Sequence, residues 1–531
     1  MSKQQTDYLF KLIKSLTKSE KRNFKLYVNR INSGENTKFI TLFDLIDKQA
    51  EYDENKILQK ATFIKKTQLP NIKAHLYKNL LVSLRLNYLA TDIDISLRQQ
   101  LDYAKILYNK ALYRQSLNLL ERTKQLAWEK YIPHLYFQAV EFEKLIESQY
   151  VTHSIETKAE ELTSESENIT QRLSYSSAYS NLAIRLYGLF LKKGYVKNSF
   201  DKNELVKFYT ENLPQTNRLP QGFYEKLNYA HAHVWFYFIQ QDFIFVYRHA
   251  FQWVNSFHNK PEMIYLQTDL YIKGLGNLLE SLFFLSNYER FTKYLNLLEN
   301  LKNDTTLPAT VNNKVLIFQY LYDSKINSHF MDGSFDEGVK LVPVIEKYLS
   351  EYELFIDDHR VFIFYYKIAT LYFGNNDLKN TIKYLNKIIN MKDVDIRSDI
   401  HCFARILNLI AHYELGNMEL MEYLVKSVYR FLLRNQNLHQ TMSEVLLFLK
   451  RLPAMLPQNL KIELAALRER LLPLRNHRYE KRTFLYLDII SWIESKLSNK
   501  TIQQIIKEKR KKVRSEKLKV KSEKCVVRCV K

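Results

Sequence analysis

The sequence predicts an all-α chain of stacked helical hairpins, a right-handed α-solenoid with a small helical domain at its N-terminus. Three observations carry that expectation. Apolar residues recur every three to four positions through most of the 531 residues, as a helix with one buried face requires. Short polar breaks interrupt these segments at near-constant intervals. Only ten glycines and ten prolines occur in the chain, so little stops a helix elsewhere.

Residues 1–90 read as a unit of their own. Leu9, Leu12, Ile13 and Leu16 fall at i, i+3, i+4 and i+7, one face of a helix. Thr17 and Glu20 have capping-box spacing, which starts a second helix near Lys18. Phe24, Tyr27, Val28 and Ile31 make its buried stripe, and Lys18, Lys21, Arg22 and Lys25 share one flank of it. Such a basic face can track phosphates, or it can simply keep a surface soluble.

Hairpins begin near Leu101. Their polar breaks centre near residues 111, 153, 194, 241, 286, 332, 375 and 416, so about eight pairs occupy residues 91–430. Pro214, Pro261 and Pro308 lie 47 residues apart and between pairs, as does Pro133. A helix can begin there but not continue. Pro343 falls inside an expected helix and would kink it. The clearest pair spans residues 365–389, with its break at Gly374-Asn375-Asn376-Asp377, and the next spans 404–431 around Gly416-Asn417. One hairpin cannot bury its apolar stripe alone, so neighbours must stack. Past Arg430 the period is lost. Residues 446–452, 460–472 and 484–497, separated by Pro453, Pro457 and Pro473, read as capping helices of a 431–499 segment. Residues 500–531 include Lys507, Lys509, Arg510, Lys511, Lys512 and Arg514, and read as too charged to pack: a frayed helix or a disordered tail.

In the 365–389 pair, small Ala369 precedes bulky Tyr372 and small Thr381 precedes bulky Leu385. That order resembles the tetratricopeptide repeat, from which Ile388 departs, because that family has a small residue there. The step of 41–47 residues exceeds that repeat's 34, which longer helices would explain. Leu9-Phe10-Lys11-Leu12-Ile13-Lys14-Ser15-Leu16-Thr17-Lys18-Ser19-Glu20-Lys21-Arg22, followed by Phe24-Lys25-Leu26, is similar to the opening of a family of uncharacterised bacterial proteins with tetratricopeptide-like repeats. Residues 486–496 are similar to its terminal helix, so the resemblance reaches to about residue 499 and leaves out the basic tail. It implies a repeat architecture and no activity.

Composition narrows the chemistry. Phosphate-cradling loops need several glycines close together, and the nearest approach, Gly274-Leu275-Gly276, has Leu279 where a dinucleotide fingerprint has its third glycine. A close helix contact is the expected role of those glycines. His231 and His233 are two residues apart, so on a helix their rings point about 200° apart and cannot share a metal. Asp357-Asp358-His359 stands where a helix should start and reads as its cap. Cys402, Cys525 and Cys529 cannot make a disulfide framework. Cys525 and Cys529 would share a helix face, and their basic neighbours favour thiolate, but a metal would need further ligands. The expected cofactor set is empty, and no enzyme constellation emerges.

Charge is uneven. Of the net +22, residues 1–90 hold +9 and residues 500–531 hold +10. Codon bias with a solvated tail accounts for this, and so would contact with an anionic partner. The start has no signal-peptide pattern and the most apolar run, 227–241, is too short to span a membrane, so the expected location is cytoplasmic. The leading functional expectation is a non-catalytic scaffold that binds protein or peptide in a concave groove. The alternative is a nucleic-acid-associated regulator that uses the basic ends, and an enzyme stands third. Partner identity and oligomeric state are not written in the sequence.

Overall fold

The computed structural model describes residues 8–31, 36–62, 64–150, 155–215, 218–390, 398–434, 440–452, 455–477, 479–480, 484 and 488–512. Every element among them is helical, and no described residue lies in a strand. Contacts divide the chain into two compact units, Met1–Ser174 and Tyr175–Lys531.

The first unit opens with α1 (Tyr8–Ser15) and α2 (Lys18–Ile31). The expected capping box joins them: Thr17 N donates to Glu20 Oε2 at 2.7 Å, and Glu20 N donates to Thr17 Oγ1 at 3.2 Å. Leu9, Ile13, Leu16, Phe24 and Val28 are buried beneath α3 (Asn36–Lys48), α4 (Glu54–Lys60) and α5 (Leu69–Tyr88). Then come α6 (Ile93–Asn109), α7 (Tyr113–Glu129), α8 (Pro133–Glu147) and the first half of α9 (Ile155–Lys193), with α6 on α7 and α7 on α8. Lys124 is buried among three carboxylates, 2.9 Å from Glu143 and 3.0 Å from both Glu121 and Glu165. Burial opposes its charge, but those carboxylates win and raise its pKa.

The second unit runs through α10 (Ser199–Asn212), α11 (Phe223–Ile239), α12 (Phe243–His258), α13 (Glu262–Leu266), α14 (Thr268–Phe284), α15 (Tyr288–Asn303) and α16 (Val311–Asp332). It continues with α17 (Phe335–Val339), α18 (Val342–Glu351), α19 (Asp358–Gly374), α20 (Leu378–Ile389), α21 (Ser398–Glu414) and α22 (Met418–Arg434). It closes with α23 (Gln440–Arg451), α24 (Leu460–Arg475) and α25 (Ile489–Ser498).

One local device makes most of the turns. A single residue enters the left-handed region, and the next N–H bonds back to the carbonyl five residues earlier, as in a Schellman motif. Gln241, Ser286, Gly333, Asn376 and Gly416 occupy the left-handed position at φ 61, 51, 62, 62 and 77°. The matching bonds are Asp242 N to Tyr237 O, Asn287 N to Leu282 O, Ser334 N to His329 O, Asp377 N to Tyr372 O and Asn417 N to His412 O. In the first unit, Ala111 and Tyr131 do the same. The following residue is small and polar in the second unit, and at two of these turns its side chain caps the next helix: Asn287 Oδ1 accepts from Arg290 N at 3.4 Å and Asp377 Oδ1 from Asn380 N at 3.1 Å. Seven of the eight breaks expected from sequence fall within one residue of a left-handed residue, and the eighth, near 153, lies outside the described residues.

The helices pack chiefly on their sequence neighbours. Within pairs, α11 packs on α12, α14 on α15, α19 on α20 and α21 on α22. Between pairs, α12 packs on α14, α14 on α16, α16 on α19 and α19 on α21. Gly274 and Gly276 have the close-contact role expected of them, because they let Trp253 of α12 and Tyr320 of α16 lie against the α14 backbone.

Four details depart from expectation. The segment between the breaks at 153 and 194 is one 39-residue helix, α9, and not two, because residues 155–187 hold no glycine or proline to end it. Pro343 does not kink a helix: the chain breaks after α17 and Pro343 sits in the first turn of α18. Pro473 does not end α24, which continues to Arg475. Residues 502–512 are helical and packed, because their charges find partners and Ile505 is buried.

Candidate functional site

The basic residues expected to meet an anion are separated by their surroundings. On α2, Lys21 Nζ lies 2.6 Å from Asp47 Oδ1 and Lys25 Nζ lies 2.7 Å from Asp44 Oδ1, both carboxylates on α3. Lys18 and Arg22 stay exposed. The flank is therefore half neutralised. At the other end, Lys509 Nζ lies 2.8 Å from Glu494 Oε2 and donates to Ser491 Oγ at 2.7 Å. Arg510 pairs with Asp332 and lies over the Tyr288 ring at 3.8 Å. Gln503 Oε1 accepts from Phe335 N at 3.1 Å, and a side chain at Gly333 would press on Ile506. Trp492 Nε1 donates to Glu414 Oε1 at 2.7 Å, and Lys496 pairs with the same carboxylate. Residues 492–510 thus cross the ends of α21, α16 and the start of α15. Lys507, Lys511 and Lys512 are exposed, while Arg514, Cys525 and Cys529 lie outside the described residues.

A second constellation was not singled out from sequence. Lys273 and Glu280 on α14, Tyr320 and Asp323 on α16, and Arg360 and Lys367 on α19 are half-buried polar residues on the first helices of three successive pairs. Lys367 Nζ donates to Asp323 Oδ1 at 2.5 Å and to Asn327 Oδ1 at 2.8 Å. Arg360 Nη2 donates to Tyr320 OH at 3.4 Å, with its guanidinium 5.2 Å from the Tyr320 ring. Burial opposes the Arg360 charge, yet Tyr320, Asp323, Glu280 and Asp357 outweigh it and raise the pKa. Seven-residue spacing gives 273/280 and 360/367 one helix face each. That spacing was the available signal. Charged side chains held across three helices offer both donors and acceptors to a ligand.

The histidines behave as packing residues. His233 Nδ1 sits 2.7 Å from Tyr229 O, a carbonyl that can only accept, so Nδ1 carries the proton and Nε2 accepts from Tyr209 OH at 2.9 Å. Its ring stacks on His249 at 4.7 Å, and burial lowers both pKa values, that of His249 to about 4. His231 turns elsewhere and accepts from Trp235 Nε1 at 3.1 Å, with burial taking its pKa to about 4. Asp357 caps α19, accepting from Arg360 N at 3.0 Å. Among the described residues, no group of three or more His, Cys, Asp or Glu side chains could hold a metal ion, and no helix is long and apolar enough to cross a membrane.

No protein-family model, curated protein or solved structure matches this chain.

Proposed function

We propose that the protein is a non-catalytic interaction scaffold in which helical hairpins stack as a right-handed, tetratricopeptide-like α-solenoid and bind protein or peptide along their first helices. The observation that carries this reading is the polar row on α14, α16 and α19. Each hairpin repeats one turn geometry, and successive first helices pack on one another, so equivalent faces recur along the array. Half-buried charges aligned over three such helices suit an extended ligand that meets several repeats at once.

The nucleic-acid reading has less support. Lys21, Lys25, Lys509 and Arg510 already face carboxylates, which lowers the number of phosphates they could neutralise.

The test is purification of the intact protein from its own cells, identification of what comes with it, and titration of that component back onto pure protein. A protein or peptide should bind at 1:1 with no chemical change. Lys273→Glu with Asn277→Arg, at half-exposed positions of α14, should weaken it about tenfold or more. Wild-type affinity in that variant would remove the α14–α19 face from the reading, and turnover of the component would replace the scaffold with an enzyme.

A further inference from the structure

In the first unit, α2 and α5 form a seam. Tyr88 OH donates to Glu20 Oε1 at 2.9 Å, and Asn23 Nδ2 donates to Asn87 Oδ1 at 3.3 Å. These pairs place the start of α2 beside the end of α5, so the helices run antiparallel. Tyr77, Leu81, Leu84 and Tyr88 recur at i, i+4, i+7 and i+11, a stripe on the side of α5 from which Tyr88 reaches α2. Within it, Tyr77 and Leu81 are 38% and 44% exposed. Across the seam, Leu26 is 47% exposed and lies between Arg22 and Arg30 along one strip of α2. Apolar side chains facing water from two adjacent helices are what an unoccupied docking surface presents.

The charge around the seam has one sign. α5 contains no Asp or Glu, and Glu20, the one acid of α2, is engaged by Thr17 and Tyr88. Arg22, Arg30 and Lys78 are exposed and have no ion-pair partner among the described residues. We propose that this seam docks an acidic amphipathic helix of a partner protein, whose apolar stripe covers Leu26, Tyr77 and Leu81 and whose carboxylates meet Arg22, Arg30 and Lys78. A second copy of the chain fits worse, because a two-fold contact sets these cations against themselves. Nucleic acid leaves the central leucines and tyrosine without a counterpart.

The experiment uses the full chain and three labelled probes followed by fluorescence anisotropy. The first is a synthetic helical peptide with leucines at i, i+3, i+4 and i+7 and glutamates on both flanks. The second is its scrambled isomer, and the third is a mixed-sequence DNA duplex. The ordered peptide should bind at least about tenfold more tightly than the scramble, and more weakly as salt rises. Leu81→Glu, and separately Arg22→Glu with Arg30→Glu, should each lose about tenfold or more, with helicity by circular dichroism unchanged. All three positions are exposed. Failure to bind the ordered peptide, equal binding of the scramble, binding of DNA alone, or indifference to both variants would each overturn the proposal.

Discussion

Gly274→Ala asks whether α14 really lies against α12 as described. A Cβ at this position would stand 2.7 Å from Trp253 Cδ1 and Nε1 and 3.2 Å from Cγ. Carbon atoms pack at about 3.5–4.0 Å, so the indole would have to retreat by about 0.8 Å or more. It has little freedom to do so. Trp253 is 1% exposed, its Nε1 donates to Leu270 O at 3.0 Å, and the His231 ring lies 4.9 Å away. Overpacking of this kind costs about 1–3 kcal/mol, against a gain of about 0.5–1 kcal/mol from replacing a mid-helix glycine. Gly188 in α9 is the control, since nothing lies within 4 Å of its added Cβ. Gly188→Ala should therefore raise stability by roughly 0.5–1 kcal/mol. Urea unfolding followed at 222 nm should show the two midpoints moving in opposite directions. A Gly274→Ala protein as stable as Gly188→Ala would refute the α12–α14 packing.

Other changes test other parts. Lys124→Met leaves Glu143 buried without its cation and should cost about 3–5 kcal/mol, measurable in the same unfolding experiment; a loss below about 1 kcal/mol would mean the network is solvated. His249 has an ordinary pKa of 6.5 and a folded value of about 4, so below pH 6.5 the unfolded chain binds the extra proton. Its contribution is complete above pH 6.5, is lost as the pH falls towards 4, and amounts to as much as about 3 kcal/mol. A His249→Phe protein should show a shallower fall in stability across that window, and an unchanged pH profile would contradict the buried neutral imidazole. Asn376 sits at φ 62°, so Asn376→Ala should cost about 1 kcal/mol and Asn376→Gly close to nothing; the reverse order would exclude a left-handed turn there.

Much of the second unit was legible because its turns are local. A glycine or polar residue able to enter the left-handed region, followed by Asp, Asn or Ser just before the next helix, occurs at Gln241-Asp242, Ser286-Asn287, Gly333-Ser334, Asn376-Asp377 and Gly416-Asn417. Such a signal sits within a few residues and can be read without knowing the partner helix. What failed to show depended on distant residues. Residues 502–512 look unpackable until Asp332, Glu494 and Tyr288, up to 222 positions away, are known to receive Arg510 and Lys509. Lys21 and Lys25 look like a phosphate-tracking pair until Asp47 and Asp44 are placed opposite them. The row from Lys273 to Lys367 was hidden for the same reason, as each helix shows two polar positions that look like ordinary solvated ones.

The most direct measurement of the scaffold account is hydrogen exchange on the full chain, with and without the protein or peptide that accompanies it from its own cells. Bound, the amides of α14, α16 and α19 should gain protection together, because one ligand lies across the first helices of successive pairs. The paired helices α12, α15 and α20 should change less. Protection concentrated on α12, α15 and α20, or confined to a single hairpin, would contradict binding along the row formed by Lys273, Asp323, Arg360 and Lys367.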